Sequence, residues 1–338
     1  MKEQDIIEIK DLLSEPKKIV IVPHKNPDGD AIGSCLGLYH FLTKLNHQPL
    51  IIAPNDYPEF LKWMPNETDI LKYEGHTESC DKIISEADIV FTLDFNAFHR
   101  AGQMEAILES SSAVKIMIDH HQQPDPYAKY MYSDVTMSST CEMVYHFIDM
   151  LDQTELIDKN IASCLYTGIM TDTGSFRFPS TSSTTMRITA NLLDKGANGS
   201  DIHNAVYDNN SESRFQLLGC ALRNMVVLPE YKTAYITLSQ EELNNNNFKK
   251  GDTEGFVNYG LSLKGICFAV IFIESQKEGI IKVSLRSKGD FSVNEFSRMH
   301  FNGGGHTNAA GGRSTENMKS TIEYFISILP SYKNALNS

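Results

Sequence analysis

The sequence has no CxxC pair, one tryptophan in 338 residues, and no apolar run near the roughly 20 residues that a bilayer span requires. The first absence argues against a zinc knuckle or a disulfide frame. The six cysteines (35, 80, 141, 164, 220 and 267) lie scattered, as small core hydrophobes do in a reducing compartment. The last excludes a helical membrane span and with it a membrane partner. The opening residues MKEQDIIEIK hold neither an apolar core nor a small-residue cleavage site, so a cytoplasmic protein is expected. Positive charge is also short, with 30 Lys and Arg against 43 Asp and Glu, a net charge of −13. From Val226 onward the balance is +1, so the first 225 residues carry −14. Such a field repels long nucleic acid unless cations reverse its local sign. What is present is ordinary: 41% hydrophobic residues, too many to remain solvated and disordered.

Lys17 to Pro23, KKIVIVP, has the Ile/Val density of a buried strand. Polar HKNPDGD follows, then AIGSCLGLYHFLTKL with Ile32, Leu36, Tyr39 and Leu42 at helical spacing. PLIIAP, ADIVFTLDF and AVKIMIDHH repeat the strand signal, and strands alternating with helices predict a parallel sheet with right-handed crossovers. Beyond residue 137 the pattern turns helical. Ser139-Thr140-Cys141-Glu142 fits a capping box opening a helix through Leu151, and further helices are expected over about Asp158–Met170 and Thr184–Lys195. Residues 209–228 read as a helical linker between a domain at 1–208 and a smaller α/β domain at 229–338. The latter has strand-like YKTAYITLS, GICFAVIFIES and GIIKVSLRS, while Asn244 to Asn247 read as a loop.

Ligands of open parallel sheets sit at the carboxyl ends of strands, and each polar cluster lies there: His24, Asp28 and Asp30 after the first strand, Asp94 after FTL, Asp119-His120-His121 after KIMI. Asp172 follows from a helix end. Four carboxylates at one edge repel, and two divalent cations would relieve the repulsion. Hard oxygen plus imidazole, without thiolate, favours Mn²⁺ or Mg²⁺, with Co²⁺ as a further candidate. Taken singly, HxxxDxD is also a capped turn, Asp94 a common strand ending, and TDTG a helix stop. Their ordered joint occurrence points to a metal centre.

Together, HKNPDGDAIGS, LDFNAFHRAG, IDHH, TDTGSFRF and GGGHTNAAGG resemble the DHH phosphoesterase superfamily with a DHHA1 domain, in particular the NrnA-type oligoribonuclease (nanoRNase) and 3′-phosphoadenosine-5′-phosphate (pAp) phosphatase group. The resemblance implies that His24 and Asp28 hold one cation, Asp94 bridges to a second, and Asp30, His120 and Asp172 complete the second site. Asp119 then fixes the tautomer and aim of a histidine, and His121 faces the scissile phosphate as charge stabiliser or proton donor; a surface histidine bonded to backbone is the plain alternative. A hydroxide shared by the two cations would attack phosphorus. The substrates so implied are short RNA oligonucleotides and pAp, with the linear dinucleotides pGpG and pApA as further candidates. Asn302 departs from a pattern that has another glycine before Gly303.

The second domain reads as the substrate's grip. Gly303-Gly304-Gly305 could bring backbone N–H groups close to phosphate, beside His306 and Asn308, with a helix start expected near Ala309-Ala310-Gly311-Gly312. Arg286 could fork onto a terminal phosphate, or make a salt bridge on a sheet face. Arg100 is a further phosphate contact; Arg177 and Phe178 are channel candidates, though core packing is the expectation for Phe178. A small closing domain suits short oligomers, against RecJ-like digestion of long DNA. The GGGH loop argues against a manganese pyrophosphatase, and the full ligand set against a non-catalytic nucleotide-binding regulator. A homodimer is left open.

Overall fold

The strand β1 (Lys18–Pro23) buries five of its six residues, and a computed structural model of the chain, describing residues 1–337, shows why. In the first of two units, Met1–Asn209, β1 lies between β2 (Gln48–Ala53) and β4 (Ile89–Leu93) in a six-stranded parallel sheet. The order is β3-β2-β1-β4-β5-β6, with β3 at Leu71–Lys72, β5 at Val114–Asp119 and β6 at Tyr130–Ser133. Both faces are covered. Ile19 and Ile21 join one apolar cluster, Val20 and Val22 the other, which is the two-sided burial a parallel sheet requires.

One face carries α1 (Glu3–Leu12), α2 (Gly29–Lys44), α5 (Thr140–Met150), α6 (Lys159–Asp172), α7 (Ser183–Asp194) and α8 (Gly199–Tyr207); the other carries α3 (Thr77–Ser85) and α4 (Glu105–Ser110). The switch point falls between β1 and β4, where the strand order reverses, and the loops leaving those two strands open a crevice at their carboxyl ends.

Helices α2 and α6 approach closely. A Cβ on Gly33 would lie 2.6 Å from the Cys164 carbonyl oxygen, and one on Gly37 2.6 Å from Leu165 Cδ2. That contact carries Asp30, near the start of α2, and Asp172, the last residue of α6, toward the same edge.

The second unit, Asn210–Ser338, opens with α9 (Glu212–Arg223) and β7 (Val226–Leu228). The segment expected as a linker is thus packed into this unit: Leu217, Cys220 and Ala221 join a core with Ile236, Ile271 and Phe256. β8 (Thr233–Leu238) and β9 (Phe268–Ser275) are parallel; β10 (Ile280–Ser287), β11 (Gly304–Gly305) and β12 (Ala309–Ser314) complete a mixed sheet of order β11-β12-β10-β9-β8-β7. Short α10 (Gln240–Asn245) and α11 (Phe256–Leu261) lie on the face of α9, and α12 (Val293–His300), α13 (Met318–Ile328) and α14 (Lys333–Asn337) on the other.

Two expectations are corrected here. Residues 309–312 begin no helix; they belong to β12, paired antiparallel with β10, because small residues let a hairpin sit tightly on α12, where Cβ atoms on Gly303 and Gly312 would run into the Gly311 carbonyl and Phe301. The asparagine run is no simple loop either, since Asn244 and Asn245 finish α10. No helix among the described residues is long and apolar enough to cross a membrane.

Candidate metal centre

Two triads meet at the carboxyl edge of the first sheet. His24 Nε2 lies 4.0 Å from Asp28 Oδ1 and 3.4 Å from Asp94 Oδ2. His120 Nε2 lies 3.7 Å from Asp30 Oδ2, 3.5 Å from Asp94 Oδ1 and 3.6 Å from Asp172 Oδ2. Asp94 therefore faces both groups, one oxygen to each. It sits one residue past β4 in the left-handed region, φ 66°, with its N–H on the Ile118 carbonyl, so the chain turns sharply where the carboxylate must turn inward.

Both histidines are fixed through Nδ1. His24 Nδ1 is 2.9 Å from the Lys25 carbonyl oxygen and His120 Nδ1 3.2 Å from that of Met137. A carbonyl only accepts, so each Nδ1 carries a hydrogen and each Nε2 faces the carboxylates, donating to them when protonated and offering a lone pair to a cation when not. The donor set of carboxylate oxygens and imidazole nitrogens fits divalent cations of the harder kind.

The electrostatics agree. Burial, then the neighbouring Asp94 and Asp172 charges, push the Asp30 carboxyl well above its usual range. Burial also raises Asp94, but hydrogen bonds from His120 and His24 outweigh it and hold this carboxyl well below the usual range. His24 and His120 are pulled down by burial, yet both end up raised by their carboxylate neighbours, His120 strongly. Without a cation, protons on the imidazoles must neutralise the cage; bound cations would displace them.

The sequence motif HKNPDGD serves twice. Asp28 Oδ1 accepts the Asp30 and Ala31 N–H groups at 3.0 and 3.1 Å, capping α2, so the capped-turn reading holds alongside the ligand geometry. His121 Nδ1 lies 2.7 Å from Asp119 Oδ1, beneath the surface. Burial and the nearby Arg100 charge hold His121 well below the ordinary imidazole value, while burial and Asp94 push Asp119 up to about 6. Arg100, in the turn after Asp94, thus reaches this neighbourhood electrostatically, and its carbonyl holds the Lys25 N–H.

Other expected residues behave differently. Phe178 is not core: it is 38% exposed and packs over Gly174, while Arg177 Nε donates to the Gly174 carbonyl. In the second unit, Asn308 Nδ2 is spent on Ser287 Oγ and the Gly289 carbonyl, tying β10 to its loop. The Gly303 and Gly305 amides are committed to the Ser297 carbonyl and Asn294 Oδ1, so these glycines serve close backbone packing first. Gly304 pairs with Gly311 in the hairpin, and His306 stands at its turn, exchanging backbone bonds with Ala309. Arg286 lies on β10 opposite Ala309, with Nη1 on the Leu285 carbonyl. Asn302 takes φ 46°, the conformation a glycine would take there, so the departure keeps the backbone shape.

Sequence reasoning missed the residues that hold these carboxylates in place. The Thr140 and Cys141 amides donate to Asp30 Oδ2 and Oδ1 at 2.6 and 2.8 Å, and Thr140 Oγ1 donates to Asp94 Oδ1 at 3.0 Å. Only half of the capping box forms. Ser139 caps α5, but the buried Glu142 carboxylate accepts from Ser138 N and Oγ and from Thr185 Oγ1. Asn96 Nδ2 holds the Gln122 carbonyl at 2.6 Å, fixing the chain after His121.

Residues 18–169 match the DHH family, N-terminal domain, and residues 230–331 match the DHHA1 domain. The bifunctional oligoribonuclease and PAP phosphatase NrnA of Thermus thermophilus is 30% identical over 293 residues, spanning 87% of this chain and 83% of its own. This chain belongs to the DHH family. As a DHH protein with a DHHA1 domain, it is a phosphoesterase. The protein of the same description from Bacillus subtilis is 28% identical, covering 87% and 88% of the two chains. The crystal structure of an exopolyphosphatase-related protein from Bacteroides fragilis superposes with a TM-score of 0.95 at 43% identity, covering 100% of this chain and 98% of that one.

Proposed function

We propose that this DHH phosphoesterase hydrolyses RNA fragments a few nucleotides long to 5′-mononucleotides and removes the 3′ phosphate of pAp to leave AMP, with two divalent cations, Mn²⁺ foremost. The observation that carries the reading is the division of Asp94 between two ligand groups, His24 with Asp28 and His120 with Asp30 and Asp172. The relatives described as bifunctional oligoribonuclease and PAP phosphatase support the substrate class.

When bound, such cations lower the pKa of a water molecule and draw charge from phosphoryl oxygens. The protein's own residues do the rest. His24, Asp28, Asp30, Asp94, His120 and Asp172 fix the charge and spacing of the cage. Asp119 holds the His121 ring by Nδ1 and so sets its aim. The depressed basicity of His121 makes its protonated form a strong acid, able to yield a proton at Nε2 to the leaving oxygen once phosphate has drawn that proton in. Arg100 adds positive charge on this side. In the second unit, Arg286 and His306 are the proposed grips on a further phosphate, with the Gly303–Gly305 hairpin and Asn308 as their scaffold. We place the protein in the cytoplasm.

The test is one panel on metal-stripped protein, with and without Mn²⁺, Mg²⁺ or Co²⁺: pAp, end-labelled di- to pentaribonucleotides, pGpG, pApA, long single-stranded DNA, pyrophosphate and polyphosphate. AMP from pAp and mononucleotides from the short RNAs, only with metal, are expected. Turnover that survives chelation, cleavage confined to phosphoanhydrides, or tight binding without hydrolysis would each overturn the proposal.

A further inference from the structure

Thr140 opens α5 and is fully buried, with its hydroxyl against one cage carboxylate and its amide against another. We infer that Thr140 is the positioning residue that makes Asp94 a ligand shared between two cations instead of a chelating ligand for one. The inference rests on the two-cation reading and adds to it the residue that enforces the pairing.

The Asp94 backbone is fixed by its left-handed φ and by its N–H on the Ile118 carbonyl, which leaves the carboxylate free to rotate about its side-chain bonds. A carboxylate that rotated freely could turn both oxygens to a single cation. Thr140 Oγ1, 3.0 Å from Oδ1, takes one lone pair of that oxygen and leaves the other toward His120, 3.5 Å away; Oδ2 is thereby directed to His24 at 3.4 Å. His121 Nδ1 stands 3.7 Å from the same Oδ1 but is engaged by Asp119 at 2.7 Å, so it does not compete for that role.

The Thr140 amide meanwhile binds Asp30 Oδ2, and the Cys141 amide Asp30 Oδ1, so one short stretch of backbone gauges the distance between the shared carboxylate and the second group. Three contacts hold that stretch still. Ser139 Oγ caps the helix by the Glu142 N–H, Glu142 grips Ser138, and the same carboxylate accepts from Thr185 at 2.9 Å, anchoring α5 to α7. A fully buried hydroxyl needs an acceptor, and the acceptor here is the Asp94 carboxylate.

Thr140→Val keeps the shape and the amide and removes only the hydroxyl; Thr140→Ser restores it. Metal-free full-length protein is titrated with Mn²⁺ by calorimetry and by electron paramagnetic resonance, with circular dichroism melts alongside. Wild type and T140S should take up two Mn²⁺ with an exchange-coupled signal. T140V should bind the second ion roughly 10- to 100-fold more weakly and lose the coupled signal, with its secondary structure unchanged. Two ions bound by T140V at wild-type affinity with the coupled signal intact would overturn the inference. Wild type that binds fewer than two ions would instead overturn the two-cation reading. If T140V does not fold, T140A is held to the same criterion.

Discussion

In the first unit, imidazoles and carboxylates gather under cover at one edge of a parallel sheet, and Asp30, Asp94, His120 and His121 are each at least nine-tenths buried. In the second unit the interior is aromatic, with Phe268, Phe272, Phe296, Phe301 and Phe325 in mutual edge or tilted contact, and its arginines stay partly or fully exposed. The difference separates two kinds of polar work. A buried cage is a collective object in which each carboxylate sets the charge state of its neighbours, whereas a surface grip is a sum of separable contacts.

Asp94→Ala breaks the collective object at its shared member. Turnover of pAp should fall by more than about 10³-fold, beyond what the loss of one transition-state donor costs, with the circular dichroism melt preserved. Activity surviving with both cations bound would show that the cage is not collective. Arg286→Ala probes the separable side. It should raise KM roughly tenfold while kcat holds, and an unchanged KM would remove Arg286 from substrate contact.

The smallest effect concerns the scaffold behind the cage. Burial raises the Glu142 carboxyl, but the His146 imidazole 3.9 Å away and hydrogen bonds from Ser138 and Thr185 outweigh it and hold it below its ordinary 4.5. A depressed folded-state value means stabilisation that is complete above pH 4.5 and lost as the pH falls through the folded value. Glu142→Gln should therefore melt about 2–4 °C lower at pH 7, and the gap should close on acidification. A gap independent of pH would mean that shape, not charge, matters at this position.

The parallel sheet and the meeting of His24, Asp28, Asp30, Asp94 and His120 at its edge were legible because Ile/Val-rich runs end in polar letters, and a doubly wound topology sends such ends to one edge; Asp172 was legible from TDTG at a helix end. Strands β3 and β6 were not, since Leu71–Lys72 and Tyr130–Ser133 are too short or too mixed to show a period. Ala309–Ser314 misled because alanine and glycine carry no face, so nothing distinguishes a tight hairpin from a helix start. The Thr140 clamp escaped for a different reason. Two of its three hydrogen bonds come from backbone amides, which every residue type supplies, and SSTCE reads only as a helix beginning.

The seam between α2 and α6 has a consequence for durability. Asp30 and Asp172 ride on helices pressed together at Gly33 and Gly37, so the spacing of these two carboxylates is set by rigid rods in contact and not by pliable connecting chain. Heat or denaturant cannot slacken such a site by degrees, and catalytic competence should vanish in step with the cooperative melting of residues 1–209.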